Sequence, residues 1–229
     1  MTEAVRGRLA LGLDVATPAE ALSLADRLAP WFGVAKVGLE LFTAAGPPIV
    51  EDLRQRGFEV FADLKYHDIP NTVGRAARAA GRLGVRYLNF HAAGGADMLR
   101  AGVEGLRAGA SDAGHPDPVP LGVTVLTSDA DASAFDDRLA TAAAAGCGGV
   151  VCSALEVPVV KERHPSLVTV VPGTRPAGAE THDQARVATP GDAVRAGADL
   201  LVVARVVITA PDPEAAAAAV AEEVTTALG

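Results

Sequence analysis

The chain has 229 residues, a formal net charge of −8 and a sequence pI of about 5.1. As a whole it repels nucleic acid and anionic membrane surfaces, so any anionic ligand must be met by a local basic site. Hydrophobic residues make up 49% and aromatic ones only 4%, which builds a core from Ala, Val and Leu and suits helices on parallel strands better than an aromatic-rich sandwich.

The opening MTEAVRGRLA lacks the charged and apolar regions of a signal peptide, and no segment reaches the ~18 unbroken apolar residues of a membrane span. The expected location is cytoplasmic. From there, short β-rich apolar runs alternate with longer Ala/Leu/Arg stretches of helical period. In chain order the runs are RLALGLD (8–14), GVAKVG (33–38), FEVFADL (58–64), VRYLNFH (85–91), PLGVTVL (120–126), GGVVCS (148–153), LVTVVP (167–172) and ADLLVVAR (198–205). After the first run, TPAEALSLADRLAPW begins with a Thr cap and a Pro at the first helical position; ASAFDDRLATAAAAG ends on a glycine stop, and DPEAAAAAVAEEVTTALG closes the chain. Eight strands, each followed by a helix, predict an α/β fold: a closed (β/α)8 TIM barrel, as a single domain over residues 1–229, with an open doubly wound sheet as the alternative. Cys147 and Cys152 match no zinc or redox spacing and read as small buried side chains.

A barrel carries its chemistry at the carboxyl ends of its strands. Polar groups gather there: Asp14 at the first strand, Lys36 near the end of the second, Asp63 and Lys65 at the third, His91 at the fourth, Thr124 and Thr127 at the fifth, Pro172 and Gly173 at the seventh, Arg205 at the eighth. Lys36, Lys65 and Lys161 are the chain's three lysines, leaving 17 arginines among 20 basic residues. Two of the three lie on that rim, while Lys161, in a charged KERH segment, reads as solvated. Asp63 and Lys65, two apart on a strand, leave the same face; Asp68, three further on, falls where the strand has turned into a helix. Flanking carboxylates favour a protonated lysine, suited to proton donation, whereas a Schiff-base lysine needs the opposite surroundings. For this pattern alone, an ion-pair network tying strand ends together is the alternative. After strand seven, GTRPAGAETHDQARVA (173–188) is long for a βα loop and reads as a functional lid. With Arg205 it marks the loops after strands seven and eight as a phosphate-binding end. His67 reads as an interface or supporting residue and His91 as a buried hydrogen-bonding one, since no spacing here makes a metal site.

Seven segments, LGLD (11–14), KVGLELF (36–42), ADLKYHDIPNT (62–72), VTVLTS (123–128), VPGTRP (171–176), HDQAR (182–186) and VVAR (202–205), together resemble the orotidine 5′-monophosphate decarboxylase family, in order across nearly the whole chain. The resemblance implies a cofactor-free, metal-free conversion of orotidine 5′-monophosphate to UMP, the last step in making UMP, in a homodimer whose active sites are shared across the interface. It makes Lys65 the proton donor to C6 of the pyrimidine, Asp63 the carboxylate near the substrate's own, and Asp68 the carboxylate contributed to the neighbouring site. Lys36 joins this charge network and, with Asp14, contacts ribose hydroxyls. Ile69 and Thr72 of the partner match an apolar wall and a ribose contact, Thr127 the hydroxyl that reads the ring, and Pro172 a residue at the lid base. Gln184 and Arg205 match the phosphate contacts. The family usually has Gly before that Arg, and the methyl of Ala204 is expected to crowd a backbone amide there.

The chemistry agrees. Removing CO2 from a ring carbon with no adjacent electron sink leaves a carbanion that must be stabilised electrostatically, and an ammonium can be counter-ion and then acid, whereas an arginine with a pKa above ~12 cannot deliver the proton. Two other classes compete: a Mg2+-assisted sugar-phosphate decarboxylase or aldolase, which needs an acidic ligand near the end of strand two where this chain has Lys36, and a non-catalytic barrel that binds a phosphate ligand.

Overall fold

A computed structural model describes residues 2–126, 129, 131–175 and 188–229. All eight expected strands form: β1 (Leu9–Gly12), β2 (Val34–Gly38), β3 (Glu59–Tyr66), β4 (Tyr87–His91), β5 (Val119–Val123), β6 (Gly149–Val151), β7 (Val168–Pro172) and β8 (Leu200–Val203). Each pairs in parallel with its successor, and β1 pairs with β8 through Leu9↔Leu201, Ala10↔Val202 and Leu11↔Val203. That last pairing closes the barrel and excludes the open sheet.

Helices cover the outside. After a short α1 (Glu3–Arg6), β1 leads to α2 (Pro18–Leu28), β2 to α3 (Leu39–Ala45) and α4 (Pro48–Gln55), and β3 to α5 (Pro70–Arg82). Then come α6 (Gly95–Asp112), α7 (Phe135–Ala144), α8 (Val157–Arg163), α9 (Pro190–Arg195), α10 (Arg205–Ile208) and α11 (Pro213–Leu228). The same device starts three of them. Thr17, Thr189 and Asp212 each accept a hydrogen bond from a backbone N–H three residues on, with proline at the first helical position. Helices α5 and α6 lie backbone to backbone, because a Cβ on Gly105 or Gly109 would collide with the main chain of Gly74 or Arg78. This contact fixes the helix that continues β3.

Strand periodicity sorts the barrel interior into layers. Ala10, Val34, Phe61, Tyr87, Leu121, Val170, Leu200 and Val202 form an inner apolar plug, with Phe61 and Tyr87 edge to face at 6.1 Å. Two residues further along the same strands stand Gly12, Lys36, Asp63 and Asn89, on the same face, with Ala204 just past the end of β8. The apolar plug therefore becomes a polar floor at the carboxyl ends of the strands. A second, larger cluster, including Leu11, Phe32, Leu41, Leu88 and Met98, packs the strands against the helices.

Some local expectations shift. β1 ends at Gly12, so Asp14 stands two residues beyond it, and Arg205 opens α10 instead of ending β8. Lys161 is not solvated: its Nζ donates to Asp199 Oδ2 at 2.6 Å and to the Leu167 carbonyl at 2.8 Å. A charged run in sequence cannot reveal that β7 and β8 bring Asp199 alongside. Both cysteines are buried and free, and burial pushes the Cys147 thiol up to about 12, leaving it unreactive. Among the described residues no helix is long and apolar enough to cross a membrane.

Candidate active site

Four side chains form a line of alternating charge across the polar floor. Lys36 Nζ donates to Asp14 Oδ1 at 2.7 Å and lies 3.5 Å from Asp63 Oδ2; the other oxygen of Asp63 accepts from Lys65 Nζ at 2.5 Å. Lys36 is buried, and an ammonium taken out of water at such a position requires the compensation these carboxylates give. Gly38 leaves room for them, since a Cβ there would stand 3.3 Å from both Asp14 Oδ1 and Lys36 Nζ. Burial by itself would raise the Asp63 carboxyl, but the charges of Lys36 and Lys65 and hydrogen bonds from Lys65 and Asn89 outweigh it and hold Asp63 below the usual carboxylate range. Asp63 therefore stays ionised to lower pH than an ordinary carboxylate.

Lys65 does not reach Asp63 by simple alternation along a strand. β3 and β4 pair at Ala62↔Leu88 and resume at Tyr66↔Phe90, so Asp63, Leu64 and Lys65 face Asn89 alone. This bulge puts Lys65 at φ +49°, in the left-handed region, as the sole non-glycine residue with positive φ among the described residues. Asn89 is fully buried. Its Oδ1 accepts the Lys65 backbone N–H at 2.7 Å and its Nδ2 donates to Asp63 Oδ1, also at 2.7 Å. Sequence reasoning missed this residue, although an amide inside the apolar run YLNFH was the available signal.

Asp68, Ile69 and Thr72 stand apart from the line. Asp68 accepts the Ile69 N–H at 2.7 Å and forms no ion pair with a described residue, while Ile69 is 65% exposed. Within one chain, then, the structure does not bring Asp68 to either lysine. The rings of His67 and His91 tilt against each other at 5.5 Å. Burial, then the proximity of His67, Lys65 and Arg138, lowers the His91 pKa below its ordinary value. His91 does not take the expected hydrogen-bonding role: its ring turns to His67, and among the described residues its side chain makes no hydrogen bond. Thr124 is spent on the barrel, its hydroxyl donating to the Val151 carbonyl at 3.0 Å.

At the other side of the mouth, Pro172 ends β7 opposite Val202, and Gly173 turns the chain at φ +75°, a conformation that suits glycine. The Arg175 N–H donates to the Ala188 carbonyl at 3.1 Å. Thr127, and residues 176–187 with Gln184, lie outside the described residues. Ala204 precedes α10, which Arg205 opens. Among the described residues no three His, Cys, Asp or Glu side chains converge as metal ligands, and the strand-two position where a Mg2+-assisted barrel needs an acid is held by Lys36.

Known proteins share this architecture and sequence. Residues 7–220 match the family described as orotidine 5′-phosphate decarboxylase / HUMPS. The orotidine 5′-phosphate decarboxylase of Moorella thermoacetica is 47% identical over 96% of this chain and 92% of its own, and that of Anaeromyxobacter dehalogenans 50% identical over 93% and 96%. The crystal structure of the Lactobacillus acidophilus orotidine 5′-phosphate decarboxylase superposes with a TM-score of 0.82 at 35% identity, covering 94% of this chain and 98% of that one. The Pyrococcus horikoshii structure of the same name gives 0.76 at 25% identity, over 95% and 99%. With likeness of this extent in both sequence and barrel, the chain belongs to the orotidine 5′-phosphate decarboxylase / HUMPS family.

Proposed function

We propose that residues 1–229 act as one barrel domain that converts orotidine 5′-monophosphate to UMP and CO2 in the cytoplasm, without metal or organic cofactor, as a homodimer with shared sites. The observation that carries this reading is the line Asp14, Lys36, Asp63, Lys65, which ends in an ammonium held by a carboxylate 2.5 Å away at the barrel mouth. Departure of CO2 breaks the bond between C6 and the carboxyl carbon and leaves its electron pair on C6. Lys65 opposes that charge as it develops and then transfers a proton from Nζ to C6, regaining one from water. Asp63 holds the Lys65 ammonium in place and stands where the substrate carboxylate approaches; Lys36 keeps Asp63 ionised and, with Asp14, meets ribose hydroxyls.

Arg205 and Gln184 hold the phosphate beside the Ala204 backbone, Thr127 reads the ring, and Pro172 supports the lid base. Binding energy from the distant phosphate is then expressed in the transition state. The dimer reading has its own support. His67 to Thr72 is a run of six exposed residues. Four of the five exposed large apolar side chains among the described residues, Leu39, Ile69, Leu126 and Leu155, follow strand carboxyl ends. A second copy seated on this face buries that surface and brings Asp68, Ile69 and Thr72 to its neighbour's site.

The test is direct: incubate the purified protein with orotidine 5′-monophosphate, with and without EDTA, and quantify UMP. The expected result is turnover that the chelator leaves unchanged. Absence of UMP would overturn the decarboxylase reading, and loss of turnover in EDTA would favour the metal-assisted class.

A further inference from the structure

We propose that Asn89 is a positioning residue for the proton donor: it holds Lys65 in its left-handed backbone conformation and fixes the Asp63 oxygen that Lys65 faces. The inference rests on the decarboxylase reading for its kinetic consequence, but its geometry stands apart from it. A β-bulge leaves ladder groups without partners. Here three residues of β3 oppose one of β4, and that one residue supplies from its side chain what the interrupted ladder lacks. Its carbonyl oxygen accepts the Lys65 N–H and its amide N–H2 donates to Asp63 Oδ1, both at 2.7 Å.

The orientation of the amide is determined by chemistry. Flipping it would set N–H2 against N–H and a carbonyl oxygen against a carboxylate, so both contacts would repel. A lysine at φ +49° persists only where its surroundings over-determine it, at a cost of about 1–3 kcal/mol. The buried acceptor on Asn89 is what offsets that cost, since an unmet N–H in this floor would be expensive. One atom of Asp63 receives both the Lys65 ammonium and the Asn89 amide. Rotation of the carboxylate away from Lys65 therefore breaks two hydrogen bonds at once. Lys36, itself held by Asp14, faces the opposite oxygen, and Asn89 is the sole described neutral side chain in hydrogen-bond contact with this pair.

Three variants of the full chain separate positioning from bulk stability. Asn89→Ser and Asn89→Leu lose one or both hydrogen bonds. Asn89→Asp keeps the acceptor for Lys65 but sets a carboxylate against Asp63, and two such groups share a proton as pH falls. The shared proton restores a donor to Asp63. The expected outcome is a kcat for Asn89→Asp reduced at least about tenfold near pH 8 and recovering relative to wild type toward about pH 5.5, with KM for orotidine 5′-monophosphate within about threefold; Asn89→Ser is reduced without that recovery. In parallel, hydrogen exchange at the Lys65 amide, read by NMR, should be slow in wild type and at least about tenfold faster in Asn89→Ser. Should Asn89→Leu fail to fold, the other two variants decide. Wild-type kcat in Asn89→Asp across the pH range, or unchanged Lys65 exchange in Asn89→Ser, would overturn the proposal. If wild type itself makes no UMP, the decarboxylase reading falls and amide exchange alone judges the role of Asn89.

Discussion

The methyl group of Ala204 occupies the space that a Cβ on Gly12 would need: the two carbons would stand 2.6 Å apart. Gly12 ends β1 and Ala204 directly follows β8, one step above the inner apolar plug, where Leu11 pairs with Val203. The same imagined Cβ would also press on Lys36 Cε at 3.2 Å. The Ala204 methyl thus lies in a gap left by a glycine across the barrel seam.

Gly12→Ala should cost about 1–3 kcal/mol of stability through overpacking and disturb the Lys36 stem, while Ala204→Gly should cost less than about 1 kcal/mol. Combining them returns one methyl to the same space, so the double variant should be more stable than Gly12→Ala alone. Urea unfolding of all four proteins measures the coupling. Strict additivity would mean that the two positions do not share that space.

Lys65→Ala should lower kcat by at least about a thousandfold, and Lys65→Arg should restore little, because a guanidinium supplies charge but no transferable proton. Circular dichroism and size-exclusion chromatography should report a folded protein of unchanged size. Activity near wild type in Lys65→Ala would remove this residue from the proton-transfer step.

Asp68 lies off the charged line of its own chain, so a shared site makes a distinctive prediction. Lys65→Ala and Asp68→Ala, each inactive alone, should regain activity when mixed under subunit exchange, because one of the two sites in a mixed dimer contains neither substitution. Exchange confirmed by mass labelling without any rescue would count against the shared site.

Acid should weaken the fold in two stages. His91 has its pKa lowered by burial and by His67, Lys65 and Arg138, so its contribution is complete above the ordinary value of 6.5 and is lost as pH falls through the folded value. Asp63, opposed by burial but held down by Lys36 and Lys65, contributes fully above its ordinary value of 3.8 and loses that contribution as pH falls through its still lower folded value. Thermal melting against pH should therefore be flat above about pH 7 and decline below it. Lys36→Met removes one of the two cations facing Asp63, so the Asp63 loss should be smaller and complete at higher pH than in wild type. An unchanged acid limb would show that Lys36 does not hold Asp63 ionised.

Much of this molecule could be read from residues in order along the chain. The eight strands, their intervening helices and the Thr17 and Pro18 start of α2 follow from local periodicity and capping, which depend on neighbours a few positions away. The gathering of Asp14, Lys36, Asp63 and Lys65 on one rim was equally legible, because parallel strands all present their carboxyl ends to the same side. Alternation failed at Lys65, where the bulge intervenes. It also gave no reason to choose Asn89, whose importance comes from being the single β4 residue opposite three of β3.

The sequence by itself determined the eight alternating strands and helices, the family and the charged residues at the strand ends, since strand count, residue type and spacing are properties of the chain. Only the tertiary structure decided that Lys65 sits in a left-handed turn held by Asn89, that Ala204 fills the gap beside Gly12, and that Lys161 is bound to Asp199. Each of these is a contact between strands or between a strand and a helix, set by register and ring closure, and residues distant in sequence carry no local pattern that announces such a meeting.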